Sequence, residues 1–119
     1  MIDCIIVDDE PIGRRGMKRL VENDGRLKLL GMFDSAAAAA EFFATNRVDL
    51  VFLDIQMPGM TGIDFAATLA GNAMVIFTTA YSEYAADSYD VSAVDYLVKP
   101  IDPDRFAKAV KKAETYKSL

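Results

Sequence analysis

Acidic, hydroxyl and basic side chains follow the apolar segments of this sequence, and together they could transfer a phosphoryl group. They are Asp8, Asp9 and Glu10 after the first segment, Asp54 after the third, Thr78 and Thr79 at the end of the fourth, and Lys99 after the fifth. Two carboxylates about 4 Å apart repel each other by roughly 4 kcal/mol at an effective dielectric constant of about 20, so a cluster of three needs a cation. Oxygen ligands with room left for water suit Mg²⁺.

Asp54 is the candidate nucleophile of this group. It directly follows the apolar residues VFL, and a charged group in such a setting needs a partner or a role. A carboxylate nucleophile, a metal ion and the positive charge of Lys99 are the parts needed for phosphoryl transfer to an aspartate, in which positioning and charge neutralisation supply nearly all the catalysis. An acid after a strand can also simply cap the next helix, and Glu10 before Pro11 fits that alternative.

A threonine hydroxyl at the end of the fourth segment could donate a hydrogen bond to the phosphoryl group. Because side chains alternate along a strand, only one of Thr78 and Thr79 should face the site. Thr79 is preferred because the small Ala80 follows it and leaves space, and Thr78 is the alternative. Either threonine would also suit a strand simply because it is β-branched.

Apolar runs alternate with amphipathic segments and predict an α/β domain. Five strands are predicted, at 2–7, 27–33, 48–54, 73–79 and 93–98. Helices are expected from Pro11, from Asp34 or Ser35, at 62–69, at 82–90, and from Pro103 with Asp102 as N-cap. The alternation favours a parallel sheet covered on both faces, in which ligands bind beyond the carboxyl ends of the strands.

Helical spacing predicts the apolar faces of the first and last helices. The face of the first helix comprises Ile12, Gly13, Gly16, Met17, Leu20 and Val21, and that of the last helix comprises Phe106, Ala109, Val110, Ala113 and Tyr116.

The composition excludes several classes of function. The 119 residues, 52% of them hydrophobic, suffice for one domain spanning 1–119. The absence of histidine excludes Ser-His-Asp and Cys-His nucleophiles and His-bearing zinc sites. The net charge of −5 argues against a nucleic-acid-binding domain, because such domains need positive charge to bind phosphates. No apolar run is long enough to cross a membrane. The single Cys4, expected in the core, and the acidic N-terminus fit a cytoplasmic protein.

Four motifs at these positions resemble the receiver domain of bacterial two-component response regulators. They are VDDEP at 7–11, DIQMPGMTG at 54–62, TTA at 78–80 and DYLVKPI at 95–101. They occur in the order expected for that family and extend from end to end of the chain. The resemblance implies a flavodoxin-like (βα)5 fold, an open parallel five-stranded sheet in the order 2-1-3-4-5 with helices on both faces. It also implies a cis peptide bond between Lys99 and Pro100.

The resemblance gives a role to each residue of the site. Asp54 matches the phosphoacceptor, which takes the phosphoryl group from a phosphohistidine of a sensor histidine kinase. Asp9 directly, Asp8 through water, Asp54 itself and the backbone carbonyl of Gln56 would hold Mg²⁺. The other matches are Thr79 as the switch hydroxyl, Tyr96 as the switch aromatic and Lys99 as the phosphate contact.

The segment from 78 to 101 is similar to receivers of the LytTR type, which are usually followed by a mostly β DNA-binding domain. This similarity implies transcription regulation through an output domain, with no direct contact of the receiver itself with nucleic acid or membrane. It implies a signalling module with only weak self-phosphorylation and autodephosphorylation, not a metabolic enzyme. The sequence leaves open whether such an output domain follows Leu119 or the receiver stands alone.

Phosphorylation of Asp54 would add charge and acceptor oxygens to the site. We expect Thr79 to move toward those oxygens and Tyr96 to rotate into the vacated space. The surface formed by the fourth helix, the fifth strand and the last helix would then change and control a homodimer or the output domain.

Two groups of apolar and aromatic residues each have two possible roles. Tyr81, Tyr84 and Tyr89 in the fourth helix fit either a dimer or output interface or core packing. Met57, Pro58 and Met60 after the phosphoacceptor fit either kinase docking or filling of the loop.

Two other protein classes share parts of this pattern. An aspartate-nucleophile phosphatase of the haloacid dehalogenase type places a second acid two residues beyond the nucleophile, where this sequence has Gln56. A flavodoxin-like FMN carrier has the same sheet, but acidic strand ends would repel its phosphate. The receiver is therefore the leading hypothesis, and the phosphatase is its main alternative.

Overall fold

The computed structural model describes residues 1–69, 71–81 and 93–119. Within this part of the chain the strands are β1 Ile2–Val7, β2 Leu27–Phe33, β3 Leu50–Asp54, β4 Met74–Thr79 and β5 Asp95–Val98. The helices are α1 Pro11–Glu22, α2 Ala36–Thr45, α3 Gly62–Thr68 and α4 Pro103–Lys117. The helix predicted at 82–90 lies outside the described residues. The strands β3, β4 and β5 begin one or two residues later than predicted.

The five strands form one sheet in the order β2-β1-β3-β4-β5, and all neighbouring pairs are parallel. The flavodoxin-like order predicted from the resemblance is therefore confirmed. Because β1 and β3 are neighbours, Val7 pairs with Leu53, and the residues that follow them lie side by side. The topology thus brings Asp8 and Asp54 to one edge of the sheet.

Each face of the sheet carries its own apolar core, because side chains alternate along the strands. Phe52 of β3 faces α1 and α4, where its ring stacks on that of Phe106 with 5.4 Å between the centroids. Leu53, the next residue, faces the other side and packs in the core covered by α2 and α3. Cys4 is fully buried, as predicted.

Capping side chains fix the starts of three of the described helices, and at α3 the Thr61 Oγ1 accepts a hydrogen bond from the Asp64 N–H. Ser35, and not Asp34, caps α2, since its Oγ accepts a hydrogen bond of 3.1 Å from the Ala38 N–H. Asp102 caps α4 as predicted and accepts a hydrogen bond from the Arg105 N–H.

Two large residues predicted on apolar helix faces are exposed, and Gly16 of the predicted α1 face is exposed as well. Ile12 is 80% exposed because the first turn of α1 lies past the carboxyl edge of the sheet, beside Asp8. Tyr116 is 56% exposed, because the end of α4 reaches the opposite edge, where Lys117 bonds the Met1 carbonyl. In both cases the helix continues beyond the sheet that would bury it.

Candidate functional site

Three aspartates meet at the carboxyl edge of β1 and β3. Asp8 and Asp54 are 1% and 5% exposed, and Asp9 is half-buried. One carboxylate oxygen of each lies within 4.8 Å of one of every other, close enough for a single metal ion to contact all three. An all-oxygen donor set of this kind fits a hard divalent cation such as Mg²⁺.

Lys99 extends from the end of β5 into this group of acids. Its Nζ lies 2.8 Å from Asp8 Oδ2 and 3.6 Å from Asp54 Oδ2. The strand end that carries it is fixed to β4, because the Lys99 N–H donates a 2.7 Å hydrogen bond to the Thr79 carbonyl. The peptide bond between Lys99 and Pro100 is cis, which confirms the expectation from the resemblance. We refer below to Asp8, Asp9, Asp54 and Lys99 as the acidic site.

The charges in the acidic site are not balanced. Burial raises the pKa of Asp54 to about 7; the Lys99 ammonium opposes this rise, and the nearby Asp8 carboxylate adds to it. Burial acts to lower the pKa of Lys99, but its hydrogen bond to Asp8 and its attraction to Asp54 outweigh that effect, so the pKa is raised. Lys99 is therefore a cation at neutral pH, whereas burial and Asp8 make the ionised form of Asp54 unfavourable. A bound divalent cation would favour the ionised form.

The loop from β1 to α1 holds Asp8 through several contacts. Its Oδ1 accepts a 2.9 Å hydrogen bond from the Glu10 N–H, and its backbone carbonyl accepts one of 2.7 Å from Arg14 Nη1. Glu10 occupies the N-cap position of α1, but its side chain makes no capping hydrogen bond in the described part of the chain. Glu10 thus contributes its backbone N–H to Asp8, and its charge adds to the raised pKa of Lys99.

Two glycines allow helices to approach the acidic site closely. A Cβ on Gly13 would collide with the Asp8 carboxylate, and a Cβ on Gly62 would collide with the backbone carbonyl of Asp54. Helical spacing alone does not reveal this contact for either glycine. Gly62 lies within the motif DIQMPGMTG, which is a signal that could have pointed to it.

The two candidate threonines are both buried but lie on opposite faces of β4. Thr78 pairs in register with Asp54, whereas Thr79 lies one residue nearer the carboxyl edge. Thr79 shares its face with Phe77, on whose ring the Tyr96 ring stacks with 5.5 Å between the centroids. Its Oγ1 accepts a 3.1 Å hydrogen bond from the Tyr81 N–H. Thr79 and Tyr96, the two predicted switch residues, therefore share one face of the sheet.

The remaining predicted surface residues fall into three groups. Met57 is buried in the core, so that this residue fills the loop, whereas Met60 is 45% exposed. Tyr81 is 47% exposed at the end of the described segment. Tyr84 and Tyr89 lie outside the described residues.

The Lys99→Met substitution should destabilise the metal-free chain at pH 8, because Asp8 and Asp54 would lose their shared cation. Removing one partner of a buried pair costs about 3–5 kcal/mol, and we expect about 1–3 kcal/mol for this partly exposed lysine. Urea unfolding in the presence of a chelator measures the loss. In an Asp54→Asn background the loss should be smaller. Equal losses in both backgrounds would show that Lys99 and Asp54 do not interact.

The model of the response regulator receiver domain family matches residues 4–111. The chain belongs to this family. It is 40% identical over 116 residues to the positive alginate biosynthesis regulatory protein of Pseudomonas aeruginosa, covering 94% of this chain and 47% of that protein. It is 34% identical over 120 residues to the sensory transduction protein LytT of Bacillus anthracis, covering 98% of this chain and 49% of that protein. This receiver thus spans about half the length of these relatives.

A solved structure with the same fold is the response regulator protein TrrA from Thermotoga maritima, in complex with Mg²⁺ and BeF. It is 33% identical and superposes with a TM-score of 0.83, covering 95% of this chain and 99% of that chain. The comparisons support a receiver and give no support to the phosphatase alternative. Within the described part of this receiver, no helix is long and apolar enough to span a membrane.

Proposed function

We propose that this receiver accepts a phosphoryl group on Asp54 from a sensor histidine kinase, with Mg²⁺ held by Asp8, Asp9, Asp54 and the backbone carbonyl of Gln56. The observation that carries the proposal is the meeting of three carboxylates within 4.8 Å, next to a lysine whose ammonium lies within 4 Å of two of them. The carboxylates of such a site can bind a cation such as Mg²⁺, and the cation and the lysine can then bind an anionic phosphoryl group.

In the proposed reaction an Asp54 carboxylate oxygen attacks the phosphorus of the donor. A bond from that oxygen to phosphorus forms while the phosphorus–nitrogen bond of the phosphohistidine breaks, and the departing imidazole keeps the electron pair and takes up a proton. Lys99 offsets charge on the phosphoryl oxygens from its place beside Asp54. When bound, Mg²⁺ supplies further charge neutralisation.

Support for Mg²⁺ comes from the donor set and from the related receiver. Carboxylate and carbonyl oxygens are the ligands that Mg²⁺ prefers, and its dehydration is reluctant, which suits a half-exposed position such as that of Asp9. TrrA was solved with Mg²⁺ and BeF and shares the fold and a third of the residues with this chain.

The conformational response is proposed to run through Thr79 and Tyr96. They lie on the same face of the sheet, and the Tyr96 ring is half-buried against Phe77. A phosphoryl group on Asp54 would draw the Thr79 hydroxyl toward it and leave space for the ring to move inward. The surface around β5 and α4 would change shape as a result, and a partner would respond by its difference in affinity for the two states.

The lengths of the relatives support an output domain in the full-length protein. Because this chain matches about half of LytT and of the alginate regulator, we propose a cytoplasmic transcription regulator with a LytTR-type DNA-binding domain. The receiver would control that domain through a homodimer formed at the β5 and α4 surface. It would act as a signalling module with only weak autodephosphorylation.

Phosphorylation of the native chain by a small phosphodonor tests this function. With Mg²⁺ and acetyl phosphate, intact mass under acidic conditions should show one phosphoryl group, and none when EDTA replaces Mg²⁺. The Asp54→Asn variant should stay unmodified, while the control Asp64→Asn, at an exposed acid of α3, should be modified like the native chain. An unmodified native chain, or a fully modified Asp54→Asn variant, would overturn the proposal.

A further inference from the structure

A second charged cluster lies outside the acidic site, at the junction of β5 and α4. Arg105 makes a two-pronged ion pair with Asp95, with Nη1 at 2.8 Å from Oδ2 and Nη2 at 2.7 Å from Oδ1. Lys112 Nζ lies 3.3 Å from the same carboxylate. Asp95 is only 6% exposed, and although burial opposes ionisation, the Arg105 hydrogen bonds, the Tyr96 N–H and Lys112 hold its pKa below the usual range.

This ion pair also bonds both backbone groups of Tyr96. The Tyr96 N–H donates a 2.8 Å hydrogen bond to Asp95 Oδ1, and the Tyr96 carbonyl accepts one of 3.1 Å from Arg105 Nη2. The peptide groups of a strand point alternately to its two sides, and the Lys99 N–H points inward to β4. Tyr96, three residues earlier, therefore points its peptide groups to the outer side of the edge strand β5.

The outer side of an edge strand normally presents unpaired peptide groups. At Tyr96 they are instead satisfied by two side chains, and one of these belongs to the first turn of α4. The Arg105 N–H in turn donates a 3.0 Å hydrogen bond to the N-cap residue Asp102. The main chain of β5 and the start of α4 are thus joined at the residue whose ring is proposed to move.

The ion pair of Asp95 and Arg105 bonds the main chain of Tyr96, whereas the ring makes other contacts. It is half-buried and stacks on the fully buried Phe77, at an angle of 14° between the ring planes. Movement of the whole strand would break the bidentate pair and leave the Asp95 carboxylate buried without its main partner, which is costly. Rotation of the ring breaks neither bond.

We propose that Asp95 and Arg105 are positioning residues that fix the main chain of Tyr96 to α4, so that phosphorylation of Asp54 moves the Tyr96 ring alone. This inference rests on the proposed function. We refer to the Asp95–Arg105 ion pair and its two bonds to Tyr96 as the clamp. The clamp keeps β5 and α4 together at Tyr96, so that the change at the acidic site leads to rotation of one side chain.

Removing the clamp tests the inference by NMR of the full chain with Mg²⁺ and beryllofluoride. In the native chain the Tyr96 ring signals should shift, while hydrogen exchange of the Tyr96 amide stays slow. In Arg105→Met we expect that amide to exchange about tenfold faster or more, relative to amides of β3, and the ring shift to be at least halved. Asp95→Asn, which keeps the shape of the side chain, should show the same two changes to a smaller extent.

A matched control is Arg26→Met, which breaks another arginine–aspartate pair, between Arg26 and Asp24, with a 2.7 Å contact. It should leave exchange and ring shift at Tyr96 unchanged. A purely structural role for the clamp would lower the urea midpoint of Arg105→Met but leave both Tyr96 signals as in the native chain, and this result would overturn the inference. A native chain with no response to beryllofluoride would instead overturn the proposed function.

Discussion

The Asp54→Asn variant is expected to be more stable than the native chain at pH 8 in the absence of metal, and to lose this advantage toward pH 4. The reason is the raised pKa of Asp54, which burial and the nearby Asp8 carboxylate lift to about 7 despite the opposing Lys99 ammonium. An amide of the same shape has no charge to bury. The native chain thus keeps a carboxylate that is unfavourable without metal and that would bind the proposed Mg²⁺.

The sign of this effect follows from proton binding in the two states. The unfolded carboxyl releases its proton near its ordinary pKa of 3.8, whereas the folded one keeps it until about pH 7. Between these values the folded state binds more protons, so the stability of the native chain falls as the pH rises through that window. Each pKa unit corresponds to about 1.4 kcal/mol, and we expect about 2–4 kcal/mol at pH 8.

Urea unfolding at pH 4, 6 and 8 with a chelator measures the difference between the two proteins. The exposed-site control Asp64→Asn should show little difference from the native chain at any of these values. Adding Mg²⁺ should stabilise the native chain, by about 2.7 kcal/mol at a hundredfold excess over its dissociation constant, and Asp54→Asn much less. A difference between Asp54→Asn and the native chain that did not change with pH would contradict the buried charge on Asp54.

The two charged clusters of this receiver differ in their balance of charge. In the acidic site three carboxyl groups share one ammonium, so the group is short of positive charge once Asp54 ionises above about pH 7. At Asp95 a single carboxylate has two cations and a backbone N–H, and its charge is fully satisfied. The first arrangement gains by taking up a cation, whereas the second has nothing to gain. A charge imbalance in a buried cluster is thus the physical sign of a binding site.

The acidic site could be predicted from sequence because every member lies at the end of a strand or within two residues after it. Once a parallel sheet was inferred, the positions of Asp8, Asp54 and Lys99 after three strands placed them at one edge. The start of a helix is likewise marked by neighbouring residues, since Asp102 followed by Pro103 marks the first turn of α4. These signals need no knowledge of how the elements pack.

The clamp and the glycine contacts could not be predicted, because they depend on tertiary packing. Arg105 follows Asp95 by ten residues across a loop and a helix start, a spacing with no periodic meaning. Ile12 has the right helical phase for burial, yet α1 begins beyond the sheet, so phase alone gives the wrong answer. The close approach of Gly62 to Asp54 likewise appears only when α3 docks.

The Gly62→Ala substitution is expected to slow phosphorylation of Asp54 strongly, although it adds only one methyl group. The new Cβ would collide with the Asp54 carbonyl and the Ile55 Cα, which are backbone atoms that cannot turn away. The start of α3 must then lift and shift the chain around Asp54 and Gln56. Overpacking of this kind costs about 1–3 kcal/mol of stability, and a displacement of about 1 Å at a reacting group can cost about a hundredfold in rate.

The control for this prediction is Gly16→Ala in α1, where a Cβ would meet no described atom within 4 Å. Alanine favours a helix over glycine by about 0.5–1 kcal/mol, so this variant should be as stable as the native chain or slightly more stable, with an unchanged phosphorylation rate. Intact mass over time with acetyl phosphate and Mg²⁺ gives the rates, and urea unfolding gives the stabilities. Native rates in Gly62→Ala would mean that α3 can move away from Asp54 without disturbing it, and that the close contact is not needed to position the phosphoacceptor.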